Sequence, residues 1–354
     1  MKPSLRSVPA VVWVVVLAML AAALLTWSPP GRAAPVEVDN TLALQSRALQ
    51  RAHHAVLGVQ VVALDNARSS TTLGQMRSGS GVLIHADGLV LTIGYLVLEA
   101  DQVQLVLDDG HSVPARVLGY DVATGFGLLQ ALAPLGLQPA PLGRPKRAAT
   151  DEPLMIVSGG DVGAVSVAQL LSRRAFSGYW EYHIEGALFT APARRDHSGA
   201  GLFNAAGELI GIGSLFVADA LGAGDDQQTQ RSGNMFVPVD LLTPILDELR
   251  SHGSSAASQR AWLGLSCVEK AGGLQVVRVS DDSPADVAGL QPGDRILRID
   301  GTEVRALATL WQTLWAGGAP EREVTLEIER DQRPQTLKVF SVDRMKTLRR
   351  AEGI

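Results

Sequence analysis

Apolar and polar residues alternate in short runs between about Val56 and Ser214, and turn-forming residues separate the runs. The clearest runs read VLGVQVVAL, SGVLIHADGLVLTI, QVQLVLDDGHSVPARVLGY and ELIGIGSLFV. Turn signals accompany them at Ala86-Asp87-Gly88, Asp108-Asp109-Gly110 and Ala206-Gly207. This pattern predicts antiparallel strands of a β-barrel or β-sandwich. Strand and helix patterns do not alternate regularly, which disfavours a parallel doubly wound sheet.

The pattern changes after residue 220. Leu221 to Gly233 is rich in Gly, Gln and Asp, which predicts a mobile surface loop. A helix is predicted over Val239 to Leu249, because its apolar residues recur at helical spacing, and a linker follows at Gly253-Ser254-Ser255. The apolar positions of that helix are Leu241, Leu242, Ile245, Leu246 and Leu249.

A further unit runs from about Ala261 to Val342 and has its own start and stop signals. Ser283-Pro284-Ala285-Asp286 predicts the start of a helix, and Gly289 suits its end. Pro292-Gly293-Asp294 and Asp300-Gly301 predict turns on either side of the strand RILRI. A second helical face carries Leu307, Leu310, Trp311 and Leu314, and an alternating strand follows from Val324 to Ile328.

An uncharged run from Val8 to Trp27 follows Lys2 and Arg6. As a helix, this run would extend about 30 Å, the thickness of a bilayer core, which predicts a membrane anchor. A signal peptide cleaved near Gly31-Arg32-Ala33 is the alternative, and a buried core helix is disfavoured. Because the positive-inside rule keeps Lys2 and Arg6 in the cytoplasm, both surviving alternatives predict export of the remaining chain.

Composition narrows the classes of protein that remain. The chain has 354 residues with 46% hydrophobic residues, which suits two or three globular domains rather than a disordered chain. Its 31 basic and 36 acidic residues give a net charge of -5, which disfavours a nucleic-acid-binding protein. The single cysteine, Cys267, excludes an intrachain disulfide and a C-x-x-C motif. No cofactor and no metal site is predicted.

Three long segments resemble the HtrA/Deg family of exported trypsin-like serine proteases. GSGVLIHADGLVLT is similar to that family's opening hairpins, NMFVPVDLLTPILDELRSHG to its connecting helix, and DSPADVAGLQPGDRILRIDGTEV to the core of its PDZ domain. The resemblance covers nearly everything after residue 45. It implies a mainly β fold, with a chymotrypsin-like double β-barrel followed by a C-terminal PDZ domain and preceded by the transmembrane helix or signal segment.

The resemblance also implies domain limits. Residues 1–34 would form the membrane anchor or signal peptide and residues 35–250 the trypsin-like protease domain. A linker over residues 251–259 would lead to the PDZ domain, residues 260–345.

The catalytic motifs of the family are only partly kept. The nucleophile segment, Gly-Asn-Ser-Gly-Gly in the family, corresponds to residues 196–200, which retain Ser198 but place Asp196 at an oxyanion-site glycine. The segment that carries the catalytic histidine corresponds to Thr92-Ile93-Gly94-Tyr95-Leu96, so Tyr95 occupies the base position. Asp121 is kept in the acid segment, but Gly125 replaces the catalytic aspartate.

These substitutions predict a domain that has lost its catalytic triad. A serine hydroxyl needs a base to take its proton and an acid to orient that base. Tyrosine, with an ordinary pKa near 10, holds its proton too firmly to act as that base. Asp196 would bring negative charge to the place where an oxyanion forms. His197, His85 and His183 are candidate replacement bases, but a surface or packing role is favoured for each.

A PDZ domain binds an extended C-terminal peptide by strand addition and needs no acid or base. Trp262-Leu263-Gly264-Leu265 matches the family's carboxylate loop, so Leu263, Gly264 and Leu265 would hold the terminal carboxylate. The helix bearing Leu310 and Leu314 would border the pocket. The alternative for the loop is that it is only the first strand of the domain. The alternative for Leu310 and Leu314 is that they are core residues, and a core position is favoured for Trp311. A regulatory contact between the PDZ domain and the barrel is a further possibility.

The resulting functional prediction is an HtrA-type pseudoprotease that acts as a peptide-binding scaffold or regulator in envelope protein quality control. Its predicted partners are C-terminal or unfolded peptide segments and the inner membrane, through residues 8–27, with the soluble part in the periplasm. The enzyme alternative is a weak or conditional endoprotease that uses Ser198 with a different base. A third alternative is a structural partner of an active homologue, and the resemblance suggests a homotrimer.

Overall fold

A computed structural model describes residues 35–150, 152–160, 163–222 and 230–349. Within these ranges no helix has the length and apolarity needed to cross a membrane. The predicted membrane segment over residues 8–27 lies outside the described residues. Residues 223–229 of the predicted loop also lie outside them.

Six antiparallel strands close the first barrel. They are β1 (Val56–Ala63), β2 (Met76–His85), β3 (Leu89–Ile93), β4 (Ala100–Val106), β5 (Ser112–Tyr120) and β6 (Phe126–Ala131), in the order β1-β2-β3-β6-β5-β4. The predicted turns at Ala86-Asp87-Gly88 and Asp108-Asp109-Gly110 join β2 to β3 and β4 to β5. The barrel closes because one side of each strand is apolar and fully buried, so no sheet edge is left unpaired.

Six further strands close a second barrel. They are β7 (Pro153–Val157), β8 (Val165–Ser177), β9 (His183–Ala191), β10 (Gly201–Phe203), β11 (Leu209–Val217) and β12 (Gly233–Pro238), in the order β10-β11-β12-β9-β8-β7. Buried residues of both barrels pack into one apolar cluster. The predicted double β-barrel is therefore confirmed. The long strand β8 lacks a clear apolar run because many of its side chains are partly exposed.

The observed helices differ from the sequence-based prediction in two places. Helix α1 (Pro35–His54) was not predicted, although Leu49, Ala52 and Ala55 carry the spacing of a buried helical face at its end. The helix predicted over Val239 to Leu249 is wrong in its limits. A 3-10 turn occupies Val239–Leu241, and the α-helix extends over Leu246–His252. Pro244 explains the break, because proline lacks the N–H that a continuous helix requires.

Three short helices complete the described α-helices ahead of the C-terminal domain. They are α2 (Ser70–Leu73), α3 (Gly94–Val97) and the corrected α4 (Leu246–His252). Helix α3 directly follows β3 and carries Tyr95, so the barrel fixes the position of that residue.

The C-terminal domain has a separate apolar core, as its own start and stop signals predicted. Its strands are β13 (Ala261–Trp262), β14 (Leu265–Lys270), β15 (Gly273–Val279), β16 (Arg295–Ile299), β17 (Thr302–Glu303), β18 (Glu323–Arg330), β19 (Arg333–Phe340) and β20 (Val342–Asp343), with helices α5 (Pro284–Val287) and α6 (Leu307–Ala316). The main sheet runs β14-β15-β16-β18-β19. Ser283 caps α5 as predicted, with its side chain accepting a bond from the Asp286 N–H.

A buried carboxylate fixes the segment that joins the barrels to this domain. Asp121 is fully buried, and one of its oxygens accepts bonds from the N–H and the hydroxyl of Thr124, at 2.8 and 2.6 Å. The other oxygen accepts from the hydroxyls of Ser255 and Ser258, which belong to the linker. Asp121, kept from the acid segment, therefore ties the first barrel to the linker.

We expect Asp121→Ala to lower the free energy of unfolding by about 2–4 kcal/mol, because it strands several buried donors without an acceptor. Urea denaturation of the purified protein would measure the change. Asp101→Ala, at an exposed position of β4, should change stability by no more than about 0.5 kcal/mol. Equal effects of the two substitutions would contradict this role of Asp121.

Candidate functional site

Ser198 lies on the loop between β9 and β10, where the two barrels meet. Its carbonyl oxygen accepts a bond from the N–H of Ser80 in the first barrel, at 2.8 Å, and the next residue, Gly199, donates to the Gly213 carbonyl at the same distance. Gly199 has φ +74°, and a Cβ there would lie 1.9 Å from the Ser80 carbonyl oxygen. A glycine is therefore required for the serine to sit in this junction.

Tyr95 is the side chain that faces the Ser198 hydroxyl. Its phenol oxygen lies 2.8 Å from Ser198 Oγ and 2.8 Å from the carbonyl oxygen of Ser214. The phenol has one proton, and a carbonyl oxygen can only accept. When the phenol donates to Ser214, the Ser198 hydroxyl is left to donate to the phenol oxygen. The Arg77 guanidinium holds helix α3 in place by donating to the carbonyls of Tyr95 and Leu98, at 3.2 and 2.7 Å.

The protonation state of Tyr95 decides what this contact can do. Burial raises the pKa of Tyr95 to about 12, and the hydrogen bond with Ser198 acts in the opposite direction without outweighing it. At neutral pH the phenol therefore keeps its proton. A protonated phenol cannot accept the Ser198 proton as a general base must.

Gly125 lies beside helix α3 but brings no acid to it. Its carbonyl oxygen accepts a bond from the N–H of Gly94, at 2.6 Å. Gly125 has φ +82°, and a Cβ at this position would lie 3.1 Å from the phenol oxygen of Tyr182. Tyr182, in turn, donates to the carbonyl of Thr124 at 2.7 Å, and burial raises its pKa. An aspartate at position 125 would be strained and crowded.

Asp196 carries a fixed negative charge two residues before Ser198. Its carboxylate pairs with the Arg194 guanidinium, with Nε 2.9 Å from Oδ1, and also accepts from the Ser158 hydroxyl. Burial acts to raise the pKa of Asp196, but the bonds from Arg194 and Ser158 outweigh it and leave the pKa below its ordinary value. The group is therefore ionised at neutral pH. A carboxylate here disfavours the negative charge of a tetrahedral intermediate.

No histidine replaces the missing base. All seven histidines lie within the described ranges, and none of their rings hydrogen-bonds the Ser198 hydroxyl. The Nδ1 atom of His197 lies 3.0 Å from the Arg194 carbonyl oxygen, and burial lowers the pKa of this histidine. His85 contacts Asp87, and His183 contacts the Ser177 hydroxyl and Glu185.

The predicted carboxylate loop faces a carboxylate that comes from the protein itself. The N–H groups of Leu263, Gly264 and Leu265 lie 3.1, 2.8 and 3.3 Å from Oε1 of Glu181. Glu181 belongs to the turn between β8 and β9 of the second barrel. Gly264 has φ +86°, the left-handed conformation that lets the loop aim its donors.

The apolar residues predicted to border this site are buried. Leu310 and Leu314 lie in the core of the C-terminal domain, with 1% and 0% of their surface exposed. Trp311 belongs to the same core, as favoured from the sequence, and its Nε1 also donates to the Gly178 carbonyl at 3.0 Å. Arg194, Glu181 and Tyr182 were missed from the sequence, since no local pattern marks a partner that only the fold supplies.

One group of side chains away from these sites has the spacing of metal ligands. His53 and His54 end helix α1, and their Nδ1 atoms lie 3.8 and 3.5 Å from Oδ2 of Asp108. All three potential ligand atoms lie within 4.8 Å of one another. Imidazole and carboxylate groups could hold a divalent transition metal.

Comparison with known proteins agrees with this architecture. The family model described as "Trypsin-like peptidase domain" matches residues 79–212, and the model described as "PDZ domain" matches residues 261–340. The serine endoprotease DegS of Escherichia coli strain K12 is 28% identical over 316 residues, covering 85% of this chain and 86% of the relative. The chain belongs to the HtrA family.

Another relative is similar to this chain in sequence, and solved structures are similar to it in fold. A probable periplasmic serine endoprotease, DegP-like, of Pseudomonas fulva is 29% identical, and the match covers 74% of this chain but 55% of the relative. The HtrA-type protease AlgW, solved with a decapeptide and with a tripeptide, shares the fold. The two structures are 22% and 24% identical, with TM-scores of 0.52 and 0.51, and the matches cover 85% and 86% of this chain and 98% and 97% of theirs.

The double substitution Tyr95→His/Gly125→Asp should not create a working protease. Position 125 requires positive φ and is crowded by Tyr182, and Asp196 keeps its negative charge at the oxyanion position. We expect casein cleavage to stay at the level of a Ser198→Ala control, and the fold to lose about 1–3 kcal/mol of stability. Circular dichroism would check folding, with Tyr95→His alone as the matched variant. Cleavage by the folded double variant would contradict this expectation.

Proposed function

We propose that this HtrA family member is a catalytically inactive pseudoprotease that binds peptides as a scaffold or regulator. The observation that carries the proposal is the contact between Ser198 and Tyr95. The hydroxyl that would attack a peptide bond faces a protonated phenol, where proteolysis requires a base. In subtilisin, loss of the histidine alone lowers kcat by about 10⁶-fold.

Two further features support inactivity. Gly125 provides no carboxylate to orient a base, and its backbone conformation disfavours any residue with a side chain. Asp196 opposes the oxyanion in charge. The three positions reinforce one another, because base, acid and oxyanion site must act together in acyl transfer.

Peptide binding is supported by the carboxylate loop of the PDZ domain. Three consecutive N–H groups converge on one carboxylate oxygen, which is the geometry that captures a peptide C-terminus. The AlgW structures were solved with peptides. We therefore propose C-terminal or unfolded peptide segments as ligands of this chain.

Location and assembly complete the proposal. The apolar run over residues 8–27 would hold the chain in the inner membrane and leave its barrels and PDZ domain in the periplasm, or would be cleaved near Ala33. The DegP-like relative is named as periplasmic. A homotrimer, and co-assembly with an active HtrA homologue, are the proposed assemblies.

Retention of Ser198 favours a second candidate function, a weak or conditional endoprotease. In that case another base would have to reach Ser198 Oγ, for example on assembly. A bell-shaped dependence of rate on pH, lost in Ser198→Ala, would identify such an enzyme.

Active-site labelling separates the two functions. We expect a serine-directed fluorophosphonate to label the wild-type protein no more than Ser198→Ala, because the unactivated hydroxyl is a poor nucleophile. Casein cleavage should likewise equal that of the Ser198→Ala control, with trypsin as the positive control for both assays. Labelling or cleavage that depends on Ser198 would refute the pseudoprotease proposal.

A further inference from the structure

The peptide groove of the PDZ domain is occupied by a segment of the second barrel. The turn between β8 and β9 lies along β14, and Trp180 forms an antiparallel bridge with Ser266. One residue earlier, the carbonyl of Tyr179 accepts a bond from the N–H of Cys267, at 2.6 Å. These are main-chain contacts of the kind that an added strand makes with a sheet edge.

Glu181 completes the likeness to a bound peptide. A free peptide in this position would bring its terminal carboxylate to the loop beyond the start of β14. Here the side-chain carboxylate of Glu181 takes that place and accepts bonds from the N–H groups of Leu263, Gly264 and Leu265. A side-chain carboxyl group offers the same two oxygens as a chain terminus.

The opposite wall of the groove also holds the turn. Trp311 of helix α6 donates from Nε1 to the Gly178 carbonyl, at 3.0 Å. Gln312, the next residue of α6, also contacts this hairpin. Its Nε2 lies 3.1 Å from Nε2 of His183. The turn is therefore held between β14 and α6, the two elements that border the groove.

We propose that residues 178–181 are an internal ligand of the PDZ groove, with Glu181 standing in for the C-terminal carboxylate of a peptide, so that an outside peptide binds only by displacing this turn. The inference rests on the proposed peptide-binding function of the groove. It assigns to Glu181 and Trp311 a role in controlling access rather than in capturing the ligand.

The contacts suit an occupant that can be exchanged. The turn remains anchored to its own barrel, because Trp180 packs against Phe176 of β8 with ring centroids 6.3 Å apart. Tyr179 stays 55% exposed, so its side chain is not enclosed by the groove. The hydrogen bonds from the N–H groups of Leu263, Gly264 and Leu265 are ones that a competing peptide terminus can also accept.

Hydrogen exchange in the full chain tests the internal contact without any ligand. In Glu181→Ala we expect the amides of Leu263, Gly264, Leu265 and Cys267 to exchange at least about tenfold faster than in wild type. Glu185→Ala, on the same hairpin but outside the groove, should leave these amides unchanged. Unchanged exchange in Glu181→Ala, or an equal increase in both variants, would overturn the proposal.

A labelled pentapeptide, Ser-Gly-Tyr-Trp-Leu with a free C-terminus, tests the competition. It copies the turn and replaces the internal carboxylate by a terminal one. Fluorescence anisotropy should show at least about tenfold tighter binding to Glu181→Ala than to wild type or Glu185→Ala, and no binding of the C-terminal amide. Equal affinity for all three proteins would overturn the proposal. If the pentapeptide binds none of them while exchange is faster in Glu181→Ala, the internal ligand stands and the peptide-binding function fails.

The charge state of Glu181 adds a pH dependence to the hydrogen exchange of the carboxylate loop. Burial raises the pKa of Glu181 to about 7, against the lowering effects of Arg344 and of the three N–H groups. Arg344 from the C-terminal segment and the Cys267 thiol, whose pKa burial raises, are the charged and titratable groups that face it. Glu181 as a residue is half-buried, but its carboxylate is desolvated.

Because the docked carboxylate binds its proton more tightly than a free one, docking is strongest below about pH 4.5 and weakens as the pH rises through about 7. After correction for the intrinsic exchange rate, the Gly264 amide of wild type should therefore lose at least about tenfold of its protection between pH 5 and pH 8. Glu181→Gln should abolish this dependence, whereas His183→Gln, the control for the nearest histidine, should keep it. A flat profile in wild type would exclude Glu181 as the titrating contact.

Discussion

The phenol of Tyr95 joins the two barrels at the place where Ser198 would need a proton acceptor. It contacts the serine hydroxyl and the Ser214 carbonyl at the same distance, 2.8 Å, and burial keeps it protonated up to a pKa of about 12. The interaction therefore gives the phenol and the serine hydroxyl hydrogen-bond partners without providing a base. Each oxygen of this partly buried hydroxyl pair has a partner, as the interior of a protein requires of its polar groups.

The hairpin formed by β8 and β9 links the two sites of the molecule. On one side, Tyr182 donates to Thr124 and crowds Gly125, where an acid would have to stand. On the other side, Glu181 and Tyr179 enter the PDZ groove. Phe176, Trp180 and Tyr182 pack against one another between these ends, with centroid distances of 5.7 to 6.3 Å. The crowding of Gly125 and the contacts in the groove are thus features of one aromatic segment.

Three carboxylates have different roles in this chain. Asp121 binds hydroxyls of the linker, Asp196 pairs with Arg194 beside Ser198, and Glu181 meets backbone donors in the groove. Burial opposes ionisation of Asp196 and of Glu181, so their partners decide the outcome. Asp196 has a cation and a hydroxyl and stays ionised, whereas the pKa of Glu181 rises to about 7. The three N–H groups therefore stabilise the ionised form of Glu181 less than Arg194 and Ser158 stabilise that of Asp196.

The sequence alone determined the double barrel and the separate C-terminal core, because hairpin turns, capping residues and ordered motifs are local patterns. Strand β8 was harder to predict, since a partly exposed strand lacks a continuous apolar run. The break at Pro244 was also harder to predict, since the apolar residues on both sides of it keep the spacing of one helix. The tertiary structure alone decided the contacts of Tyr95 with Ser214, of Asp121 with the linker and of Glu181 with the carboxylate loop. These partners are 119, 134 to 137 and 82 to 84 residues apart in the chain. No spacing rule connects residues so far apart, because their meeting depends on how the closed barrels and the PDZ domain pack together.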